Sequence, residues 1–295
     1  MTAASGLLVV DKPAGITSHD VVAQIRRILG TRKVGHAGTL DPMATGVLVV
    51  GVNKATRLLG HLALRDKRYL ATIRLGSSTT SDDKDGQTLS VAEPASLAGI
   101  SDDAIRASTA PFVGPIEQRP SSISAIKVDG RRAYDRVRAG EDVELASRSV
   151  VVTRLDVLAV SRPDDAIDVD VDVECSTGTY VRALARDIGA ELGVGGHLTS
   201  LRRTRVGPFD SSVSLASVED RGSDALLPMA EVAASCFPVW LLDADQARAV
   251  RFGQRVPWLR LESDEGPVAL TDETGDFLAL AVNDQGIARY LAVLA

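Results

Sequence analysis

The sequence has little of what zinc sites and disulfide frameworks require. It contains two cysteines, Cys175 and Cys236, and four histidines, and no histidine stands at a zinc-ligand spacing from a cysteine. We expect two reduced thiols and no structural metal. Long apolar runs are also missing, because no window approaches the ~20 apolar residues of a membrane helix. The N-terminus has no basic stretch of the kind that begins a signal peptide. We expect a cytoplasmic protein with no membrane association.

Common nucleotide-binding motifs are missing as well. The apolar run Gly46–Gly51 is followed by Val52 and Asn53, where a P-loop requires a lysine and a hydroxyl residue. No Gly-x-Gly-x-x-Gly follows a predicted strand. The chain is not basic overall, since its formal net charge is −6. A nucleic-acid enzyme needs only a local basic track, so this charge does not exclude RNA as a partner.

The periodicity of the chain predicts both strands and helices. Gly6–Asp11, Gly46–Gly51 and Lys67–Leu75 have the apolar content of buried or half-buried strands. From Ala166 to Cys175, apolar residues alternate with acidic ones, which predicts a strand with one exposed face. Between these strands, Ser77 to Ser90 is polar and contains three aspartates, so we interpret it as a surface loop.

One carboxylate stands in an unusual setting, the stretch GHAGTLDPMATG. Asp41 lies among three glycines and small residues, five positions after His36 and directly before Pro42. Glycines permit tight backbone conformations and close approach by another molecule, and the proline favours an extended Asp41. A carboxylate in such a loop could act as a nucleophile or a general base. Asp-Pro is also ordinary turn chemistry, so composition alone leaves both interpretations open.

A charged residue also marks the start of a predicted helix. The turn Ser176–Tyr180 leads into a helix with an apolar stripe from Val181 to Leu192, and Arg182 lies in its first turn, off that stripe. A cation there opposes the helix dipole, so the sequence predicts an anionic partner close by. An exposed surface arginine is the alternative.

Basic residues concentrate in three segments. They are the end of the first helix with its following loop (Arg26, Arg27, Arg32, Lys33), the arm Lys127–Arg138 with Arg131, Arg132 and Tyr134, and the stretch Leu198–Val206 with Arg202, Arg203 and Arg205. Basic side chains interleaved with an aromatic suit an RNA backbone and its bases. A solvated helix face explains the first two segments equally well.

The pattern of apolar and polar residues changes after about residue 237. From Phe237 onward, short apolar runs are broken by Asp, Gly and Pro, which predicts a small β-rich domain after a boundary between Pro228 and Pro238. This segment carries nine acidic and five basic residues, a net charge of −4. That charge favours a weak or indirect contact with RNA.

Several ordered motifs resemble the bacterial tRNA pseudouridine-55 synthases of the TruB type. They are LLVVDKPAGITSHDVV, GHAGTLDPMATGVLVVGV, KRYLATIRLG, PSSISAIKVDGRRAYDRVRAG, CSTGTYVRALARDIG and HLTSLRRTRVGPF. The resemblance implies an α+β fold: a mixed, largely antiparallel sheet core with flanking helices, over residues 1–232. It also implies an RNA-gripping insertion at about residues 120–150 and a PUA-like β-rich domain at residues 237–295.

The resemblance also implies a reaction. Asp41 would attack the target uridine, so that its glycosidic bond breaks and the base rotates and reattaches through carbon, with no cofactor. Arg182 matches the arginine that pairs with this aspartate, and a nearby arginine favours an ionised carboxylate. Tyr69 matches an active-site tyrosine that packs on the target base.

Further positions would bind the substrate. Leu201 and Tyr180 match the walls of the base pocket, His36 matches a contact to flipped-out nucleotides, and Lys12 matches a buttress of the catalytic loop. Basic residues of the arm and of the later stretch would grip the RNA: Lys127, Arg131, Arg132, Arg202 and Arg203. The implied partner is the T-arm stem-loop of tRNA, whose target uridine must be flipped out, and the implied protein is a monomer.

Two other hypotheses remain open at this point. A tRNA-binding or tRNA-folding factor would keep its role after loss of Asp41 but not after loss of the basic arm. An aspartate-nucleophile phosphotransferase would need a second carboxylate two residues after Asp41 to hold magnesium, and Met43 occupies that position.

Overall fold

The computed structural model describes residues 4–121, 127–128, 131–132, 145–258 and 266–295. Their contacts divide the chain into two compact units. Unit 1 holds the described residues up to Asp41, then Gly46–Leu64, and the described residues from Val206 onward. Unit 2 holds Pro42–Thr45 and the described residues from Arg65 to Arg205. Unit 1 is therefore assembled from three separated stretches of sequence.

The described part of the chain forms short α-helices. They are α1 (Ser18–Ile28), α2 (Leu59–Ala63), α3 (Pro94–Ala98), α4 (Asp102–Thr109), α5 (Val181–Glu191), α6 (Leu215–Arg221), α7 (Met229–Cys236) and α8 (Ala244–Arg251). A 3-10 helix, Asn53–Leu58, precedes α2. Helix α1 begins at a capped N-terminus, because Thr17 forms a capping box with Asp20.

The described part of the chain also forms strands. They are β1 (Gly6–Lys12), β2 (Val34–His36), β3 (Thr45–Val52), β4 (Lys67–Leu75), β5 (Ser77–Thr79), β6 (Thr88–Val91), β7 (Gly114–Gln118), β8 (Lys127–Val128), β9 (Arg131–Arg132), β10 (Arg148–Ser161), β11 (Ile167–Cys175), β12 (Gly196–Val206), β13 (Leu227–Pro228), β14 (Val239–Leu241), β15 (Val268–Thr271), β16 (Phe277–Asp284) and β17 (Ile287–Val293).

Unit 1 contains two groups of strands that share one core. In the first group, β1 pairs antiparallel with β3 and with β13, and β2 pairs with β3. The second group runs β14-β15-β16-β17, with β14 parallel to β15 and the later pairs antiparallel. A single cluster of buried apolar side chains joins Leu7 and Val49 of the first group to Phe277 and Leu280 of the second. The β-rich C-terminal segment therefore packs directly on the N-terminal strands.

Unit 2 is built on strands in the order β12-β4-β11-β10-β7. β11 pairs antiparallel with β4 and β10, and β10 pairs antiparallel with β7. The predicted alternation of β11 is confirmed: its apolar residues are buried, and the side chains between them face the other side of the sheet. Helix α5 packs on β4 with Val181, Leu184, Ala185 and Ile188 buried. This match between period and environment explains why the sequence forms these elements.

One predicted surface loop is wrong. The segment Ser77–Ser90 contains the hairpin β5–β6, and the chain between these strands turns inward, so that Ser81, Asp82 and Asp83 are buried. The backbone of this turn is tied to β12, because Leu198 N donates to Asp82 O at 3.0 Å and Lys84 N donates to Leu198 O at 2.8 Å. Polar composition suggested exposure, but these distant hydrogen bonds make burial affordable.

The fold class is confirmed as α+β with largely antiparallel sheets. No helix in the described part of the chain is long and apolar enough to cross a membrane. Most of the predicted RNA-gripping insertion, including Tyr134, lies outside the described residues. The domain boundary near residues 232–237 and the PUA-like character of the C-terminal segment stay predictions.

Candidate active site

The loop Ala37–Ala44 carries Asp41 between β2 and β3. Gly38 and Gly46 both have φ of 97°, a left-handed backbone that a side chain would strain. Asp41 is half-buried and directly follows Leu40, which is buried. The two glycines therefore shape the loop at its entry and exit, as its sequence predicted.

A buried serine fixes the residue before Asp41. The Ser18 hydroxyl donates to the carbonyl oxygen of Leu40 at 3.1 Å and accepts from the Leu40 amide at 2.9 Å. Ser18 is the first residue of α1, so the helix N-terminus is anchored to the loop 22 residues later. No local pattern in the sequence indicates this role, because a hydroxyl at a helix start is typical of a cap and not of a distant contact.

Two other predicted site residues of unit 1, Lys12 and His36, lie at the ends of β1 and β2. The Lys12 side chain is fully buried, and its Nζ donates to the carbonyl oxygens of Pro13 at 2.8 Å and Ile16 at 2.7 Å. These bonds stabilise the turn that leads into α1. His36 is half-buried on β2, and its ring meets the edge of His19 with centroids 5.3 Å apart.

Arg182 is buried in unit 2, with 3% of its surface exposed. Its Nη1 donates to the carbonyl oxygen of Ser81 at 2.7 Å and lies 3.4 Å from Oδ2 of Asp83. Asp83 is itself 5% exposed and accepts from the hydroxyl of Ser81 at 2.5 Å and from the amide of Asp85 at 3.1 Å. Within unit 2, Arg182 therefore has an acidic neighbour in Asp83, which lies in the segment predicted to be a surface loop. The pairing of Arg182 with Asp41 stays a prediction.

Tyr180 precedes α5 and is held at its backbone. The Gln118 side chain, which is almost fully buried, accepts from Tyr180 N at 2.8 Å and donates to Tyr180 O at 3.1 Å. The Arg148 guanidinium stands 5.7 Å from the centre of the Tyr180 ring, a cation–π distance. This half-buried tyrosine therefore has a fixed backbone and a ring with a charged neighbour.

Tyr69 lies on the buried face of β4 and is 7% exposed. Two residues earlier on the same face, Lys67 donates to the carbonyl oxygen of Arg65 at 2.6 Å. Burial, reinforced by the charge of Arg203, lowers the pKa of Lys67 to about 8. Cys175, opposite Lys67 in the sheet register, has its pKa raised by burial to about 11. The thiol is therefore protonated at neutral pH, which makes it a poor nucleophile.

The predicted substrate-binding residues of β12 point to alternate sides of the strand. Leu201 and Arg203 are buried, and Arg203 is only 1% exposed. Arg202 is exposed, and its Nη1 is 3.5 Å from the Thr45 hydroxyl within the same unit. Arg205 pairs with Glu174 of β11. In this conformation Arg202 alone of the two predicted RNA contacts, Arg202 and Arg203, is open to solvent.

The backbones of the predicted RNA-gripping residues form a short ladder. Lys127 pairs with Arg132 and Val128 with Arg131 in the antiparallel strands β8 and β9.

Among the residues that the structure describes, no group of three or more His, Cys, Asp or Glu side chains is arranged to hold a metal ion.

Family models account for most of the chain. The model described as "TruB family pseudouridylate synthase (N terminal domain)" matches residues 26–181. The chain belongs to the TruB family of pseudouridine synthases. Two further models follow it, "tRNA pseudouridylate synthase B C-terminal domain" over residues 182–231 and "Pseudouridine synthase II TruB, C-terminal" over residues 238–287. The motif resemblance found in the sequence is thereby confirmed.

Curated relatives match along nearly their whole length. The protein named tRNA pseudouridine synthase B from Cutibacterium acnes is 56% identical over 300 residues, with 99% of each chain covered. The protein of the same name from Thermobifida fusca is 53% identical over 296 residues, again with 99% of each chain covered. This chain is therefore similar to TruB-family enzymes in length as well as in motifs.

Solved structures share the fold. A crystal structure described as a Cbf5-Nop10-Gar1 complex has a TM-score of 0.75 and 28% identity, covering 98% of this chain and 85% of that one. An H/ACA RNP bound to a substrate RNA containing 2'-deoxyuridine has a TM-score of 0.73 and 27% identity, with the same coverage. The pseudouridine synthase fold inferred from the motifs is confirmed.

Proposed function

We propose that this chain isomerises uridine-55 in the T loop of tRNA to pseudouridine, with Asp41 as the nucleophile and after flipping of the target base. The observation that carries the proposal is the shaped loop around Asp41, in a chain that matches proteins named tRNA pseudouridine synthase B over nearly its full length. The reaction rearranges bonds within one nucleotide. The glycosidic bond between N1 and the sugar breaks, the base rotates, and C5 bonds to the same sugar carbon. The C5 proton is lost and N1 takes up a proton, so the product is an isomer of uridine.

Asp41 suits the role of a nucleophile because its loop is held from both sides. Left-handed glycines bracket it, and Ser18 pins the backbone of Leu40. A preorganised carboxylate loses little freedom when it meets the substrate, which favours reaction over simple binding. Small neighbours leave room for a nucleotide, which larger side chains would obstruct.

Two residues of unit 2 complete the proposed site. Arg182 would supply the positive charge that keeps the Asp41 carboxylate ionised, and its fixed contacts to Ser81 and Asp83 preset its direction. Tyr69 would pack on the flipped uracil, as aromatic rings do with flipped bases. Asp41 belongs to unit 1, so its pairing with these residues is part of the proposal.

The proposed substrate is the T arm of tRNA, bound as a shaped loop. Flipping the target uridine costs a few kcal/mol of unstacking, which contacts elsewhere must offset. We assign these contacts to Arg202, His36 and the basic arm with Lys127, Arg131 and Arg132, with Tyr180 and Leu201 as walls of the base pocket. Arg203, which is buried, would support the pocket from behind.

The test is release of tritium from C5 of uridine in an unmodified T-arm stem-loop. Wild-type protein should release tritium and Asp41→Asn should not, because the amide keeps the shape of the carboxylate but is not a nucleophile. Binding of the stem-loop should survive in the variant. Because pseudouridine and uridine have the same mass, mass spectrometry after chemical labelling selective for pseudouridine should place the product at position 55.

Asp170→Asn is the matched control, since Asp170 is an exposed aspartate of β11 whose carboxylate accepts from Thr72. It should release tritium at the wild-type rate. Wild-type protein that binds the stem-loop but releases no tritium would contradict the proposal and favour the tRNA-binding factor.

A further inference from the structure

Helix α5 directs two arginines toward two consecutive aspartates. Arg182 and Arg186 stand four residues apart and so share one face of the helix. Arg182 Nη1 lies 3.4 Å from Oδ2 of Asp83, and Arg186 Nη1 lies 3.2 Å from Oδ2 of Asp82. The function proposed above uses only the first of these pairs.

The second arginine also reaches a third segment. Arg186 Nη2 donates to the carbonyl oxygen of Arg119 at 2.8 Å, and its Nε donates to Asp187 at 2.8 Å. Arg119 directly follows β7, at the root of the predicted RNA-gripping insertion. The planar guanidinium of Arg186 therefore binds three places through separate N–H groups: the turn Ser81–Asp85, helix α5, and the root of the insertion at Arg119.

Asp82 is held in a conformation that needs support. Its φ is 58°, left-handed and uncommon for a residue with a side chain. Its side chain is 11% exposed. Burial raises the pKa of the Asp82 carboxyl, and a hydrogen bond with Ser121 together with the charges of Arg186 and Arg182 only partly opposes this effect. Loss of Arg186 would therefore disturb the residue next to Asp83, the partner of Arg182.

We propose that Arg186 and Asp82 form a positioning pair that couples the root of the insertion at Arg119 to the turn that aligns Arg182. The proposal rests on the function proposed above, in which the insertion grips RNA and Arg182 serves the reaction. Arg186 itself acts through Asp82 and Asp83 and does not touch the substrate. Through this pair, a shift of the root on RNA binding is passed to the turn.

The first test is Arg186→Met, which keeps an aliphatic side chain and removes the guanidinium group. The single-turnover rate of tritium release should fall about tenfold or more, because small displacements of catalytic groups are costly. The dissociation constant of the stem-loop should stay close to wild type. Arg186→Lys should recover only part of the rate, since one ammonium group cannot replace a planar guanidinium that donates to several separate acceptors.

Arg74→Met is the matched control. Arg74 binds Asp168 through two hydrogen bonds of 2.8 and 2.7 Å in the same unit, on the exposed face of the sheet. Its loss removes an arginine–aspartate pair without touching the turn, so the rate should not change. A fall in rate equal to that of Arg186→Met would overturn the proposal.

A double variant separates positioning from stability. In Arg186→Met with Asp82→Asn, the buried charge left by the first change is removed, so the melting temperature should recover while the rate stays low. Recovery of the rate together with the melting temperature would show that the pair only stabilises the fold, and would overturn the proposal.

Amide hydrogen exchange tests the coupling without using activity. Arg186→Met should speed exchange at two places together. The first is the turn, at Lys84 and Asp85 and at Leu198, whose amide binds the Asp82 carbonyl. The second is the end of β7, which pairs with β10 and directly precedes Arg119. Faster exchange in the turn with none at the end of β7 would overturn the coupling. Wild-type protein that releases no tritium would instead contradict the proposed function, and the exchange result would still decide the coupling.

Discussion

Two acidic tracts of unit 2 use the same residue type in opposite ways. β11 carries Asp168, Asp170, Asp172 and Glu174 on one face of the sheet, and each meets a partner on β4 or β12. The turn Ser81–Asp85 instead buries two aspartates against α5. Water can replace most partners on the sheet face but not those in the turn. Cross-strand pairs of the first kind stabilise the fold modestly, whereas pairs of the second kind become costly when one partner is removed.

The largest expected effect comes from breaking the buried pair. Asp83→Ala should lower the free energy of unfolding by about 3–5 kcal/mol, because a buried guanidinium loses its carboxylate. Urea unfolding measures the change. Asp85→Ala, two residues later and exposed, is the control and should leave the stability close to wild type. Equal effects of the two variants would contradict the distinction between the tracts.

A smaller effect is expected from the most buried carboxylate of the sheet face. Asp172 accepts from Arg68 Nε at 2.8 Å and Nη2 at 2.6 Å, and Arg154 lies 3.5 Å away. Asp172→Ala should cost about 1–2 kcal/mol, since hydrogen bonds to charged groups are lost but the arginine can be hydrated. Arg68 is 39% exposed, which makes this hydration available. A loss as large as that of Asp83→Ala in the same urea titration would contradict this prediction.

The pH dependence of stability should have opposite signs in the two tracts. The hydrogen bonds from Arg68 lower the pKa of Asp172 from 3.8, so its contribution is present above that value and is lost as pH falls through the lowered pKa. Burial raises the pKa of Asp82 above 3.8, so its contribution is present at lower pH and is lost as pH rises through the raised pKa. Urea midpoints of Asp172→Asn and Asp82→Asn, followed from about pH 3 to 7, should deviate from wild type in opposite directions.

The smallest effect is expected at the exposed pair of Thr72 and Asp170. Thr72 donates to Asp170 at 2.7 Å on the solvent side of β4 and β11. Thr72→Val keeps the branched shape that strands favour, so the free energy of unfolding should change by less than about 0.5 kcal/mol. A larger loss by urea unfolding would show that the sheet face contributes more than its exposure suggests.

The sequence predicted one tract and not the other for a physical reason. The alternation of β11 is local, and its period of two determines which side chains face water. The burial of Asp82 and Asp83 depends on Arg182 and Arg186, about a hundred residues away, and no local pattern reports them. The glycines around Asp41 were informative because positive φ is a property of single residues. Ser18 was not, because its contact to Leu40 forms only in the fold.

Unit 1 combines early and late stretches of the chain, which affects the order in which the chain folds during synthesis. The core that covers Leu7 and Val49 is completed by Phe277, Leu280 and Leu294, which come much later in the chain. Unit 2 is nearly continuous in sequence, so all of its strands have been synthesised before the later strands of unit 1. Chains grow from the N-terminus, and segments fold when their partners have emerged. The core of the strands that flank the Asp41 loop can therefore close only after β16 and β17 have been synthesised, so a chain truncated before these strands would leave that core open.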